Sequence, residues 1–136
     1  MPAHLPWLDA DDPFPPVSLA WGPETPAPGL LAAGGQLDVA HLTAAYHRGI
    51  FPWFSAGQPI LWWSPDPRMV LEPSSFRLHR SLRKTLQKFR CTPGCEIRID
   101  HDFHAVISAC SSKARKGQDG TWIVPEMVSA YQALHD

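Results

Sequence analysis

Apolar positions recur at helical spacing in four stretches of the chain and read as short strands in four others. Asp38 is a capping residue, Val39, Leu42, Ala45 and Tyr46 follow it at helical intervals, and Gly49 supplies a left-handed stop, so the pattern predicts a helix over 39–48. Leu82, Leu86 and Phe89 share one side of a helix predicted over 81–89, which the Cys-Thr-Pro-Gly-Cys run at 91–95 ends. Phe103, Val106, Ile107 and Cys110 stand at i, i+3, i+4 and i+7, with Asp100 available as a cap. Pro125 suits the first turn of a last helix carrying Val128, Tyr131 and Leu134 on one side. Segments 59–64 and 69–72 read as short strands joined by Ser-Pro-Asp-Pro, whose prolines favour a turn and edge positions. Segments 96–99 and 121–124 read as two more strands.

These elements describe an α+β chain. Residues 1–28 hold eight prolines, the acids Asp9, Asp11 and Asp12, and the rings Trp7, Phe14 and Trp21; they form a proline-rich N-terminal arm, some of whose rings pack down on the domain. Residues 29–90 form a small N-terminal α/β domain with a short sheet. Residues 91–136 supply too few elements to enclose a second core and read as the opening of an incomplete domain.

Within 46–68 stand six of the fourteen aromatic residues, set among four prolines and two glycines. Proline fixes φ and removes a backbone donor, so the expectation is that these rings are carried on stiff turns and not on a helix or a central strand. Such a shelf suits a flat π-faced ligand such as a nucleobase, and equally a satellite hydrophobic cluster under a long loop.

Composition narrows the classes. With 136 residues, 44% hydrophobic and 18% charged, the chain is of ordinary domain size and soluble type. No apolar run approaches the length of a membrane span, because Trp62-Trp63 is closed off by Ser64-Pro65. Cys91, Cys95 and Cys110 cannot all pair, and no secretory leader opens the chain, which points to a reducing cytoplasm. The net charge of −1 says nothing about partners, but its distribution is uneven: six of the twelve Lys and Arg lie in 77–90, with no acid between Glu72 and Glu96. Arg80, Arg83, Lys84 and Lys88 fall on the side of their helix away from Leu82, Leu86 and Phe89. The stripe fits phosphates or a solvated helix face, and it lacks the interleaved acids that quench most solvated faces. Lys113, Arg115 and Lys116 make a second basic group, read as a loop.

Other chemistry is poorly supported. Cys91-x3-Cys95 with His101 or His104 has poor zinc spacing and lacks a fourth ligand. No cysteine has an activating neighbour, His41 and His47 read as surface or half-buried, and Gly34-Gly35 lacks the flanking strand and the spacing of a phosphate loop. No cofactor and no metal are expected.

Gly34-Gly35-Gln36-Leu37, Tyr46-x-Arg48-Gly49-Ile50-Phe51-Pro52-Trp53-Phe54 and Pro59-Ile60-Leu61-Trp62-Trp63-Ser64-Pro65-Asp66-Pro67-Arg68 occur in this order. Arg80-Ser81-Leu82-Arg83-Lys84, Phe103-x-x-Val106-Ile107-x-x-Cys110, Thr121-Trp122-Ile123 and Ala130-Tyr131-x-x-Leu134-His135 follow. Over about 29–136 the chain resembles bacterial leucyl/phenylalanyl-tRNA–protein transferases. The resemblance implies an enzyme that moves Leu or Phe, and less well Met, from Leu-tRNA or Phe-tRNA to acceptor proteins with N-terminal Arg or Lys, marking them for degradation in the N-end rule pathway. It implies that 91–136 begin an acyl-CoA N-acyltransferase-like domain. Tyr46, Trp53, Trp122 and Tyr131 match the positions that hold the tRNA 3′ adenosine, and Arg80, Arg83, Lys84 and Lys88 match the surface for the tRNA backbone. The family's acid/base residues lie beyond Asp136, so the chain reads as an inactive fragment. The alternative is a non-catalytic aromatic-shelf module binding RNA or a proline-rich peptide.

Overall fold

The computed structural model describes residues 4–114, 116–117 and 121–136; Arg115, part of the second basic group, lies outside the described residues. In chain order the elements are β1 (Trp7–Leu8), β2 (Leu30–Gly34), α1 (Val39–His47), β3 (Phe51–Pro52), β4 (Leu61–Trp63), α2 (Arg80–Cys91), α3 (Phe103–Ser112) and α4 (Pro125–His135). The chain divides into two compact units: residues up to Pro67 with Asp102–Asp136 form one, and Arg68–His101 the other.

The first unit is built on a sheet of order β1-β2-β4-β3, in which β1 runs parallel to β2 and the other two pairings are antiparallel. All five residues of β2 are buried, as befits a strand covered on both sides. Gly34 ends β2 at φ 83°, and a Cβ there would stand 2.6 Å from the Leu8 carbonyl oxygen, so the approach of β1 requires glycine. A strand therefore does lead into Gly34-Gly35, contrary to the sequence expectation. The turn accommodates the close approach of β1, and the helix after it is capped by an acid: the Asp38 carboxylate accepts the His41 backbone N–H at 2.8 Å.

The core collects Leu8, Phe14, Leu31, Ala32, Leu42, Ala45, Ile50, Trp62 and Ala130. Trp62 is fully buried, donates its Nε1–H to the Gly34 carbonyl at 2.9 Å, and meets Phe14 edge-on at 4.7 Å. This corrects the expectation that no ring of the aromatic segment lies on a central strand. The prolines sit at 52, on the edge strand β3, and at 59 and 65, outside β4, so residues 61–63 are free to pair on both sides. The N-terminal arm enters the same core through Leu8 and Phe14. The Arg48 guanidinium fastens it by donating to the Phe14 carbonyl at 2.8 Å and the Pro15 carbonyl at 2.9 Å.

All four helices form where the periodicity puts them, with shifts of detail. Gly49 has φ 71° after α1, as expected of a left-handed stop. The cap of α3 is Asp102, accepting from Ala105 N–H at 2.9 Å, and not Asp100. Of the expected apolar side of α3, Ile107 is buried while Val106 and Cys110 are exposed. On α4 the buried residues are Met127 and Ala130, with Val128, Tyr131 and Leu134 half-buried. Segments 69–72, 96–99 and 121–124 are not strands. For 69–72 the reason is topological: β4 already has β2 and β3 on its two edges, so no edge is left for a hairpin partner.

In the second unit, α2 runs three residues longer than the 81–89 predicted, and none of its residues is buried. Among the described residues no helix is long and apolar enough to cross a membrane.

Candidate functional site

The aromatic segment splits into rings that build the core and rings that face outward. Trp62 and Phe54 are buried, Phe51 and Trp63 are half-buried, and Tyr46 and Trp53 are exposed at 48% and 52%. Trp53 stands just past β3 on a backbone held from two sides. Its N–H donates to the Leu61 carbonyl at 2.9 Å and its own carbonyl accepts the Trp63 Nε1–H at 2.7 Å. The Trp63 ring leans against it with centroids 5.8 Å apart. The exposed indole is thus braced, which lowers the entropy lost when something stacks on it.

Opposite Trp53 lies Trp122, 42% exposed; with Phe51 and Pro52 the two indoles line an open apolar cleft of about 230 Å³. The ends of the two loops are fixed in one small cluster, since Phe54, Val124 and Met127 pack together. Tyr131 also packs against that cluster, and its hydroxyl meets the hydroxyl of Tyr46 in a hydrogen bond, the rings crossing edge-on at 6.3 Å. Burial first, then the hydrogen bond and charge of Tyr46, push the Tyr131 phenol far above its ordinary value. It therefore stays protonated at any physiological pH, able to donate as well as accept.

The four expected adenosine-site residues thus fall into two pairs on one unit: the indoles across a cleft, and the phenols in contact, both tied to the Phe54 cluster. The four expected backbone-contact residues, Arg80, Arg83, Lys84 and Lys88, lie on α2 in the second unit, and all are exposed. Arg83 borders the apolar side: with Leu78, Leu86, Gln87, Arg90 and Cys91 it lines a groove of about 580 Å³. Cys91, Cys95 and Cys110 are free and exposed. His101 bonds to Arg98 at 3.0 Å, while His104 points to Asp136.

Comparison with known proteins decides the family. Residues 70–136 match the leucyl/phenylalanyl-tRNA protein transferase family, and residues 35–66 match the leucyl/phenylalanyl-tRNA protein transferase N-terminal domain. The chain belongs to this family. A leucyl/phenylalanyl-tRNA–protein transferase of Polaromonas sp. (strain JS666 / ATCC BAA-500) is 62% identical over 135 residues, covering 99% of this chain and 53% of that protein. A protein of the same description from Leptothrix cholodnii is 63% identical over 134 residues (96% and 52%). That from Paraburkholderia xenovorans is 57% identical over 131 (96% and 54%). The chain spans about half the length of the curated relatives it matches. Trp53 lies within the segment matched to the family's N-terminal domain, Trp122 and Tyr131 within the other, so the cleft joins residues from both matched segments.

Proposed function

We propose that this chain carries the aminoacyl-tRNA end platform of a leucyl/phenylalanyl-tRNA–protein transferase. The observation that supports it most is the open cleft between the braced indole of Trp53 and the indole of Trp122, on the unit that also carries the Tyr46–Tyr131 hydroxyl pair. The 3′ adenosine stacks on the indole faces, each stacked base contributing about 1–3 kcal/mol. The protonated Tyr131 donates to an oxygen of the ribose or the ester. Arg80, Arg83, Lys84 and Lys88 meet the tRNA backbone.

The reaction asks little activation of the protein, because an aminoacyl ester is already reactive and holding the acceptor amine near its carbonyl supplies much of the acceleration. The acceptor is the α-amino group of a protein beginning with Arg or Lys, and the setting is the cytoplasm. A base for that amine and a donor for the oxyanion are still needed. We assign them to the acyl-CoA N-acyltransferase-like part of the family, of which 91–136 are the opening, after an arm over 1–28 and an N-terminal domain over 29–90. That division follows the resemblance alone: the family matches part between residues 66 and 70, and in the packing α3 and α4 join the sheet unit.

Binding of a minihelix RNA with a single-stranded 3′ end tests the platform. Affinity falls with salt with a logarithmic slope of about 3 if four phosphates are met; binding indifferent to salt, or undiminished by Trp53→Ala, overturns the reading in favour of a peptide-binding module. Transfer of labelled Phe from Phe-tRNA to an Arg-initiated peptide is expected to be undetectable with these 136 residues, and appreciable turnover would mean that the catalytic groups have been misassigned.

A further inference from the structure

At the edge of the sheet unit, away from the aromatic cleft in role and residues, two helices bring three ligand-type side chains to one point. His104 stands in the first turn of α3, His135 ends α4, and Asp136 follows it. His104 Nε2 and His135 Nδ1 approach the same carboxylate oxygen, Asp136 Oδ1, at 3.2 and 3.3 Å. One ligand atom from each residue lies within 4.8 Å of the others, and all three residues are exposed. Phe103 sets the ring planes: it stacks flat on His135, with centroids 4.6 Å apart and planes 5° from parallel, and meets His104 edge-on at 6.5 Å.

These distances have a simple chemical meaning. A tetrahedral zinc ion with bonds of about 2.0–2.1 Å separates neighbouring ligand atoms by roughly 3.3–3.4 Å. Two edges, from Asp136 Oδ1 to each ring, already agree with that figure, and the third, between the rings and within 4.8 Å, closes toward it as a cation enters. Two imidazoles and a carboxylate suit zinc, and also nickel or copper, better than magnesium or calcium, which prefer oxygen donors alone. Three protein ligands leave a fourth position for water or another donor.

We propose that His104, His135 and Asp136 form a site for a divalent transition-metal cation that clips the start of α3 to the end of α4. The site owes nothing to the cysteines weighed in the sequence. In place of Cys91 and Cys95, the fold gives His104 partners from the far end of the next helix.

The test is titration of the untagged chain with zinc chloride by calorimetry, and with cobalt(II) by visible absorption. One equivalent of zinc per chain, the intense bands of tetrahedral cobalt, and a melting temperature raised by zinc and lowered again by EDTA are expected. Removing a ligand is expected to weaken zinc binding by about 10- to 100-fold or more, in His104→Gln, His135→Gln and Asp136→Asn alike, while exchange of the exposed His47 for Gln leaves it unchanged. A chain extended past Asp136 by a Gly-Ser tail must bind equally; loss of binding on extension would assign the ligand to a terminal carboxylate and overturn the site. Absence of binding, or a His104→Gln variant that binds as the parent does, overturns it also. Circular dichroism of the variants separates loss of a ligand from loss of fold, and RNA affinity reports on the aromatic cleft independently of either result.

Discussion

Among its described residues the sheet unit buries fifteen hydrophobic side chains, whereas Arg68–His101 buries none and leaves Met69, Val70, Leu71, Ile97 and Ile99 at 70–99% exposure. Both stretches are patterned for packing. Helix α2 has Leu82, Leu86 and Phe89 on one side and cations on the other, as regular an amphipathic helix as the chain contains. The difference is in what each helix can reach. Helix α1 lays Leu42 and Ala45 on the sheet around Trp62, and α4 closes over it with Ala130. Thirty-four residues, the span of 68–101, fall below the roughly 40 that can enclose a core without a staple or a partner. A local pattern decides that a helix forms; the number of elements around it decides whether its apolar side is covered.

Hydrogen exchange should display this contrast at its widest. Amides of α2 are expected to exchange through openings costing near zero, and those of β2 and β4 only through global unfolding, a gap of about 5 kcal/mol or more. Equal protection in both would break the contrast.

Next in size is side-chain truncation read by urea unfolding. Trp62→Ala should destabilise by about 3–5 kcal/mol, since it removes a buried ring and orphans the Gly34 carbonyl. Leu86→Ala should stay within about 0.5 kcal/mol. A large loss at Leu86 would mean that α2 has a packed partner.

Function sharpens the comparison further. Trp53→Ala and Trp122→Ala should each weaken binding of an adenosine-ended RNA by about 1–3 kcal/mol without moving the urea midpoint, because both rings face out from a unit whose stability lies elsewhere.

The smallest effect is at the cap of α1. The His41 N–H donating to Asp38 holds that carboxyl below its usual value, against the opposing pull of partial burial. A depressed folded pKa gives stability that is fully present above the ordinary carboxylate range and lost as pH falls through the folded value. Asp38→Ala should cost about 1 kcal/mol near neutral pH and progressively less in acid, while Asp38→Asn keeps the cap without this acid dependence. Melting temperatures of the three proteins across pH check it.

Helices were legible in the sequence because their signals are local: a spacing, an Asp38 cap, a Gly49 stop, a Pro125 start. Strands were not. Leu30–Gly34 reads Leu-Leu-Ala-Ala-Gly, buried throughout, so it shows no alternation, and β1 and β3 are two residues each. Conversely, segments 96–99 and 121–124 have strand-like composition, yet among the described residues neither pairs with a strand. Trp53 stands on a proline-braced turn as expected, whereas Tyr46 lies in the last turn of α1, against the expectation that no ring of the segment is carried on a helix, and Trp62 escaped that logic by lying between prolines rather than beside one. Contacts such as Tyr46 with Tyr131, or His104 with Asp136, join residues far apart in the chain, and no spacing rule announces them.

The two carbonyls held by Arg48 have a consequence for the opening of the chain. Pro13, Pro15 and Pro16 have no N–H to offer, so this stretch cannot knit itself into the sheet by a ladder of its own. One flat, forked cation reaching back from the end of α1 replaces that ladder, engaging two successive oxygens at once. Lysine, with its charge gathered at a single nitrogen, would serve one oxygen well and surrender the other to solvent, loosening Phe14 from its place against Trp62.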